Sequence, residues 1–163
     1  MTIRRLNHAV LFVRDADASA RFYRDVLGFR DAFGMGGARF LTAEGSENDH
    51  DLGLFTVGSE AAASAAGRGS VGLYHLAWEV ETLGALKDLR ARLETEGALI
   101  GQSNHSTTKS LYARDPDGLE FEVCWIVPTA LLTAADQQGR DRIRPLDLEA
   151  EIARFGADTP GRR

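Results

Sequence analysis

The sequence has little cysteine, no long apolar run and no excess of positive charge, and each shortage excludes a class of protein. Cys124 is the one cysteine among 163 residues, so the chain cannot form an internal disulfide. Its apolar runs extend over a few residues, whereas a helix needs about 20 to cross a bilayer. No charged-then-apolar leader precedes the first strand-like segment. We therefore expect a cytoplasmic protein without a membrane-spanning segment.

Positive charge is scarce as well. The net charge of −5 at pH 7 disfavours nucleic acid as a partner, because binding to a phosphate backbone usually relies on a basic surface. The composition, with 44% hydrophobic and 26% charged residues, is typical of a globular protein. A chain of this length can bury a sizeable core without disulfides. We therefore expect a folded domain that binds neither nucleic acid nor membranes.

One pattern occurs twice in the chain. The octet LNHAVLFV (6–13) returns as LYHLAWEV (73–80), and histidine is third in both. Each octet is typical of a strand and is followed by apolar residues at helical spacing, at 15–29 and 81–98, and then by three β-rich segments. The sequence therefore predicts an α+β fold of two tandem βαβββ modules, which form a curved, mostly antiparallel, eight-stranded half-open barrel.

A segment rich in glycine, alanine and serine separates the two halves, as is typical of a linker. Beyond Pro128 the β pattern ends, and one amphipathic helical segment follows. The predicted boundaries are a single domain at 1–127, with module one at 3–57, the linker at 58–71 and module two at 72–127, and a C-terminal tail at 128–163 with a helix near 145–155.

Two histidines and one glutamate are the best candidates for a functional site. His8 and His75 occupy matching positions of the repeat, so a pseudo-twofold axis would bring both imidazoles to one cavity. Glu122 lies within a predicted strand whose other face is apolar, and a buried carboxylate is costly unless it is paired or bound to a cation. Two histidines and a carboxylate can hold non-haem Fe(II) and leave coordination positions open. The alternative is that each histidine is a core residue hydrogen-bonded to a backbone carbonyl.

At these residues the chain resembles the vicinal oxygen chelate superfamily, which includes glyoxalases, bleomycin-resistance proteins and type I extradiol dioxygenases. The resemblance covers about residues 3–127. Besides the two octets, its strongest matches are NDHDLGLF (48–55) and NHSTTKSLYARDPDGLEFEV (104–123), which are most similar to the catechol 2,3-dioxygenase branch. The chain has room for two modules, whereas the larger dioxygenases of the family carry four.

The resemblance implies a role for each matching residue. His8, His75 and Glu122 correspond to the family's metal ligands for Fe(II), with Mn(II) as the alternative. His50 corresponds to the acid/base histidine, Tyr112 to the tyrosine that hydrogen-bonds the substrate, and His105 to a further pocket histidine. The implied function is that of a non-haem Fe(II)-dependent extradiol dioxygenase that cleaves the ring of a catechol-type vicinal diol with O2, in aromatic hydrocarbon catabolism. The resemblance also implies a homodimer.

Other members of the same family remain as alternatives. Glyoxalase-like lyases and isomerases use a fourth ligand at the end of the first module, where DLGLFTV (51–57) has no carboxylate after Asp51. Fosfomycin-resistance relatives use basic residues to bind a phosphonate, for which Lys109 and Arg114 are the nearby candidates. A protein that only binds an antibiotic or metabolite would keep the fold without the chemistry, and the histidine and glutamate trio argues against it.

Overall fold

The structure is a computed structural model that describes residues 2–162. In chain order its strands and helices are β1 (Ala9–Val13), α1 (Ala16–Asp25), β2 (Arg30–Met35), β3 (Ala38–Thr42), β4 (Leu52–Thr56), β5 (Leu76–Glu79), α2 (Leu83–Thr95), β6 (Leu99–Asn104), β7 (Thr108–Arg114), β8 (Glu120–Ile126), α3 (Ala134–Gln138) and α4 (Leu148–Phe155). This order confirms the predicted α+β class and the two tandem βαβββ modules. None of the helices within residues 2–162 is long and apolar enough to span a bilayer.

The chain divides into two compact units. The first comprises Met1–Ser64 and Asp115–Gly118, and the second comprises Ala65–Arg114 and Leu119–Arg163. The change from the first unit to the second at residues 64 and 65 falls inside the segment that the sequence predicts to be a linker. Each unit contains the four-stranded sheet of one module, and the turn Asp115–Gly118 of module two belongs to the first unit.

The sheet of the first unit has the strand order β1-β4-β3-β2. β1 and β4 are parallel, and the other two pairs are antiparallel. Helix α1 begins after Asp15, whose carboxylate caps it by accepting hydrogen bonds from two backbone N–H groups. The helix contacts β3 and β4, and its buried face includes Ala20 and Tyr23. Leu41 and Leu52 are fully buried and form part of this core.

The sheet of the second unit repeats this arrangement, with the order β5-β8-β7-β6 and a parallel β5/β8 pair. The predicted leucine stripe of α2 is buried, because leucines three or four positions apart lie on one side of a helix. Residues on β8 alternate: Phe121 and Val123 are buried, whereas Glu120 and Glu122 on the other face are half-buried. β8 therefore separates the core of the unit from a face that carries carboxylates.

Both repeated octets form shorter strands than the sequence predicts. β1 starts at Ala9 and β5 starts at Leu76, so His8 and His75 each lie one residue before a strand. The strand that follows still sets the direction of the chain at such a residue, but the backbone of the residue takes no part in the hydrogen-bond ladder of the sheet. The two histidines keep the equivalent positions that the repeat predicts.

Within residues 128–162 the C-terminal tail contains a short 3-10 helix (Thr129–Leu131) and one α-helix that the sequence does not predict. α4 lies within the predicted range and is capped by Asp147, which accepts a hydrogen bond from the Ala150 N–H at 3.0 Å. The additional helix, α3, has five residues, which is too short for apolar periodicity to reveal. Its sequence signal is a capping box, in which Thr133 and Asp136 bond to each other's backbone N–H. Asp136 also receives two hydrogen bonds from Arg154 of α4, at 3.0 and 2.6 Å.

This contact between α3 and α4 predicts a pH-dependent stability. Hydrogen bonds from Arg154 hold the pKa of Asp136 below its ordinary value. Because the folded pKa is lowered, the stabilisation is present above the unfolded pKa of about 3.9 and is lost as pH falls toward the folded pKa. We expect Asp136→Asn to reduce the free energy of unfolding by about 1–2 kcal/mol at neutral pH, and by less at about pH 2.5, where part of the stabilisation has been lost. Urea unfolding at the two pH values measures both differences.

The matched control is Asp25→Asn, which removes a carboxylate from an exposed pair with Arg24. Such exposed pairs contribute little, so its effect on the free energy of unfolding should be much smaller than that of Asp136→Asn at neutral pH. An equal loss for Asp136→Asn at both pH values would show that the ion pair is not the cause.

Candidate functional site

The parallel pair β5/β8 brings together two of the three predicted metal ligands. His75 directly precedes β5, and Glu122 lies on β8 opposite Ala77. Nε2 of His75 is 3.1 Å from Oε2 of Glu122. The other carboxylate oxygen of Glu122, Oε1, accepts a hydrogen bond from the Ser110 hydroxyl at 2.6 Å. An imidazole nitrogen and a carboxylate oxygen therefore lie side by side at one place in the second unit.

The chemistry of this pair suits a divalent cation. Imidazole nitrogen and carboxylate oxygen are the donor types that non-haem iron and manganese sites use. Nδ1 of His75 is buried and has no hydrogen-bond partner among residues 2–162. The imidazole is therefore not held by a backbone carbonyl, as a purely structural core histidine would be. Within those same residues no three His, Cys, Asp or Glu side chains gather as a complete ligand set. The trio that includes His8 stays a prediction.

In the first unit, His8 lies beside His50, and their ring centroids are 4.5 Å apart. Nδ1 of His8 is 2.8 Å from the Asn7 side-chain oxygen, and Nδ1 of His50 is 3.0 Å from a carboxylate oxygen of Asp49. Both partners are acceptors, so each Nδ1 carries the proton and donates it. The Nε2 atom of each neutral ring therefore keeps its lone pair, which can bind a metal or accept a proton.

Asp51, the neighbour of His50, holds the loop that presents this histidine. The backbone N–H of Asp51 donates to the Leu41 carbonyl at 2.8 Å, which joins the loop to β3. The ring of His50 also lies edge-on to Phe40, with the centroids 5.0 Å apart. The Asp51 carboxylate accepts hydrogen bonds of 2.7–2.8 Å from three groups of the loop: the Ala43 N–H, the Ser46 hydroxyl and the Asn48 amide. Asp51, which follows His50 in the sequence, thus has a structural function in this loop.

Tyr112, His105 and Ser103 form a triangle of polar atoms in the second unit. Nε2 of His105 is 2.9 Å from the Tyr112 hydroxyl and 2.8 Å from the Ser103 hydroxyl, and the two hydroxyls are 3.1 Å apart. Burial raises the pKa of Tyr112 above its ordinary value. The phenol is therefore protonated at neutral pH and can donate a hydrogen bond. Tyr112 is also paired with Glu122 across β7 and β8.

These groups share a cleft of about 600 Å³ in the second unit. The structure thus brings His75, Glu122, Tyr112 and His105 together, whereas His8 and His50 belong to the first unit. Lys109 is fully buried and pairs with Glu151, and Arg114 pairs with Glu120. The cleft is lined by Arg68, Tyr74, His75, Ser103, His105, Thr108, Tyr112, Glu122 and Ile143.

Two serines hold polar side chains of the cleft and were not among the predicted site residues. Ser110 precedes Tyr112 by two residues on β7, and this spacing places both on one face of the strand. That alternation was a usable signal for Ser110. Ser103 lies near the end of β6 and gave no comparable signal, because its contact with His105 depends on how the chain turns between β6 and β7.

Comparison with known proteins agrees with this fold. Residues 5–123 match the model of the Glyoxalase/Bleomycin resistance protein/Dioxygenase superfamily. The chain is 30% identical over 118 residues to a catechol-2,3-dioxygenase of Bacillus subtilis, and 35% identical over 120 residues to biphenyl-2,3-diol 1,2-dioxygenase 3 of Rhodococcus globerulus. These matches cover 72% and 73% of this chain, but 40% and 62% of the two relatives. The chain therefore spans less than two thirds of the length of either dioxygenase.

A solved structure shows the same fold. The crystal structure of a glyoxylase/bleomycin resistance protein/dioxygenase domain from Frankia sp. superposes with a TM-score of 0.61 at 23% identity, over 76% of this chain and 92% of that one. The family match spans most of the chain, extends into both modules and includes every predicted site residue. The protein therefore belongs to the glyoxalase/bleomycin resistance protein/dioxygenase superfamily, as its sequence predicts.

Proposed function

We propose that the protein is a metal-dependent extradiol dioxygenase that cleaves the ring of a catechol-type vicinal diol with O2. The observation that carries this proposal is the cleft of the second unit, in which His75 and Glu122 lie 3.1 Å apart beside a protonated tyrosine. The similarity to two proteins named as diol dioxygenases supports the same reaction class. A cytoplasmic location and a homodimer remain predictions of the sequence.

In the proposed enzyme, His8, His75 and Glu122 hold Fe(II) or Mn(II). When bound, such a metal supplies a Lewis acid and a redox centre for the reaction between the diol and O2. Ser110 orients Glu122 for this role. Its hydroxyl donates a hydrogen bond to Oε1, and Oε2 of the same carboxylate lies beside Nε2 of His75. A ligand oriented in this way loses little rotational freedom when the metal binds.

Tyr112 and His105 bind and orient the diol in this proposal. The Tyr112 phenol donates a hydrogen bond to a hydroxyl oxygen of the substrate, and it remains protonated because burial raises its pKa. His105 and Ser103 hold that phenol in place through contacts of 2.9 and 3.1 Å. A donor that is already oriented stabilises developing negative charge without reorganising during the reaction.

His50 moves the proton in this proposal. Its Nδ1 proton is held by Asp49 at 3.0 Å, so Nε2 is the atom that accepts a proton from a substrate hydroxyl and later returns it. Asp51 and Phe40 fix the loop and the ring, so this imidazole needs no rearrangement to act. An imidazole exchanges protons readily near neutral pH, which suits this role.

The direct test of this function is oxygen uptake by anaerobically purified, metal-loaded protein supplied with catechol and with 2,3-dihydroxybiphenyl. We expect equal amounts of diol and O2 to be consumed, with a yellow ring-opened product. Tight binding of a diol by metal-free protein without oxygen uptake would instead indicate a binding protein of the same fold. Turnover of a glyoxalase substrate without O2 would indicate a lyase or isomerase.

The proposed ligands predict the metal content of variants. We expect Glu122→Ala and His8→Ala each to reduce the bound metal at least tenfold from about one ion per chain, because each removes a ligand. Elemental analysis of anaerobically purified protein measures this content. Glu120→Ala is the matched control, since Glu120 lies on the same face of β8 and pairs with Arg114 instead. Unchanged metal content in both ligand variants would exclude this ligand set.

The role of Tyr112 makes a separate prediction. Tyr112→Phe removes the donor but keeps the ring, so we expect kcat to fall about 100-fold while the metal content stays the same. Steady-state oxygen uptake and elemental analysis on the same preparation separate the two effects. Loss of metal together with activity would place Tyr112 among the groups that hold the metal, and full activity would remove it from the proposed mechanism.

A further inference from the structure

The loop that presents His105 to the cleft has an unfavourable backbone conformation. This loop connects β6 to β7, and Ser106 within it has a φ of 66°, in the left-handed region that residues other than glycine rarely adopt. The Ser106 N–H donates to the Asn104 side-chain oxygen at 2.8 Å. The His105 N–H donates to the Thr108 carbonyl at 2.9 Å. Such a conformation persists only where surrounding contacts impose it.

Lys109 and Asn104 supply those contacts. Nζ of Lys109 donates to Oδ1 of Asn104 at 2.8 Å and to the Ser106 carbonyl at 3.0 Å. Lys109 is fully buried, and burial lowers its pKa. A buried ammonium group requires a counterion, because its charge has been removed from water. The conformation of the loop therefore depends on the group that pairs with Lys109.

That group is Glu151, on α4 of the C-terminal tail. Its Oε2 lies 3.1 Å from Nζ of Lys109, and its Oε1 accepts a hydrogen bond from the Asn104 amide at 2.7 Å. Asn104 and Arg144 also exchange two backbone hydrogen bonds, of 2.9 and 3.0 Å. The tail thus contacts both side chains that hold the His105 loop, although it lies beyond the family match, which ends at residue 123.

We propose that Glu151 is a positioning residue of the candidate active site. Through Asn104 and Lys109 it fixes the loop that sets the 2.9 Å contact between His105 and the Tyr112 hydroxyl. The inference rests on the proposed function for the chemical roles of His105 and Tyr112. The contact between these residues can be measured in resting protein without any reaction.

The test compares two neutralised glutamates of one helix. Glu151→Gln removes the buried charge and keeps the length of the side chain. Glu149→Gln is the matched control, because it removes the same charge from an exposed pair, in which Oε1 lies 2.7 Å from Nζ of Lys87. Resting, metal-free protein is examined by NMR of the histidine and tyrosine rings. The chain has four histidines, so His105 can be assigned with a His105→Gln variant.

We expect the ring resonances of His105 and Tyr112 to move in Glu151→Gln and to stay in place in Glu149→Gln. In metal-loaded protein we expect kcat of Glu151→Gln to fall about tenfold with KM changed less than about twofold, because a displaced catalytic group slows turnover more than it weakens binding. Glu149→Gln should keep both constants. The split between kcat and KM distinguishes positioning from a general loss of folded protein.

Glu151→Gln leaves Lys109 buried without a counterion, which could prevent folding. Lys109→Met combined with Glu151→Gln leaves no buried charge unpaired, so this chain is expected to fold. It also lacks the hydrogen bonds from Nζ to the loop, and the His105 and Tyr112 resonances should move in it as well.

Resonances of His105 and Tyr112 that coincide with wild type in the folded Glu151 variant would overturn the proposal. Equal shifts in Glu149→Gln would overturn it too, because the effect would then not be specific to Glu151. If the shifts appear as expected but wild-type protein consumes no O2 with any diol, the positioning inference stands and the proposed dioxygenase function fails.

Discussion

The parallel pairing of the first and last strands of each module is the constraint on which the candidate site depends. Two parallel neighbouring strands cannot be joined by a tight turn. The helix and the other two strands of each module therefore lie between them in the sequence. In the second unit this return sets Ala77 opposite Glu122 and brings His75 to the same carboxylate. A histidine and a glutamate that are distant in sequence thereby become neighbours, and neither needs an irregular strand to reach the other.

The first unit uses the same pairing for a different pair of groups. β1 and β4 are parallel, with Ala9 opposite Leu52, so His8 and His50 lie near each other ahead of the two strands. One unit thus combines two imidazoles whose Nδ1 atoms are held by acceptors, and the other combines an imidazole with a carboxylate. The duplicated architecture thus places two potential metal-binding or proton-transfer groups beside the parallel strand pair of each unit.

The sequence predicted most of the fold because its signals are local. Periodicity in the leucines of α2 and alternation on β8 each depend on residues close together in the chain, and both were confirmed. The sequence also indicated His75 and Glu122 as candidates for one site. His75 holds the same position as His8 in the repeat, and Glu122 lies on the polar face of a predicted strand. The contact of Glu151 with Lys109 could not be predicted from the sequence. It joins β7 to α4, and the path of the irregular segment between these two elements has no local sequence signal. A lysine next to a candidate site looks like an anion-binding group until its burial and its partner are known.

Arg68 and Ile143 contribute side chains to the cleft although both lie outside module two (72–127). Arg68 lies between the two modules and Ile143 lies in the tail, where it is 75% exposed. Substitutions at such positions leave the strand ladder and the leucine core untouched, so they carry a small folding penalty. In the proposed dioxygenase, substitutions at these two positions can therefore change the preference among diols while His75 and Glu122 stay in place. They are the first positions to randomise when that preference is to be redirected.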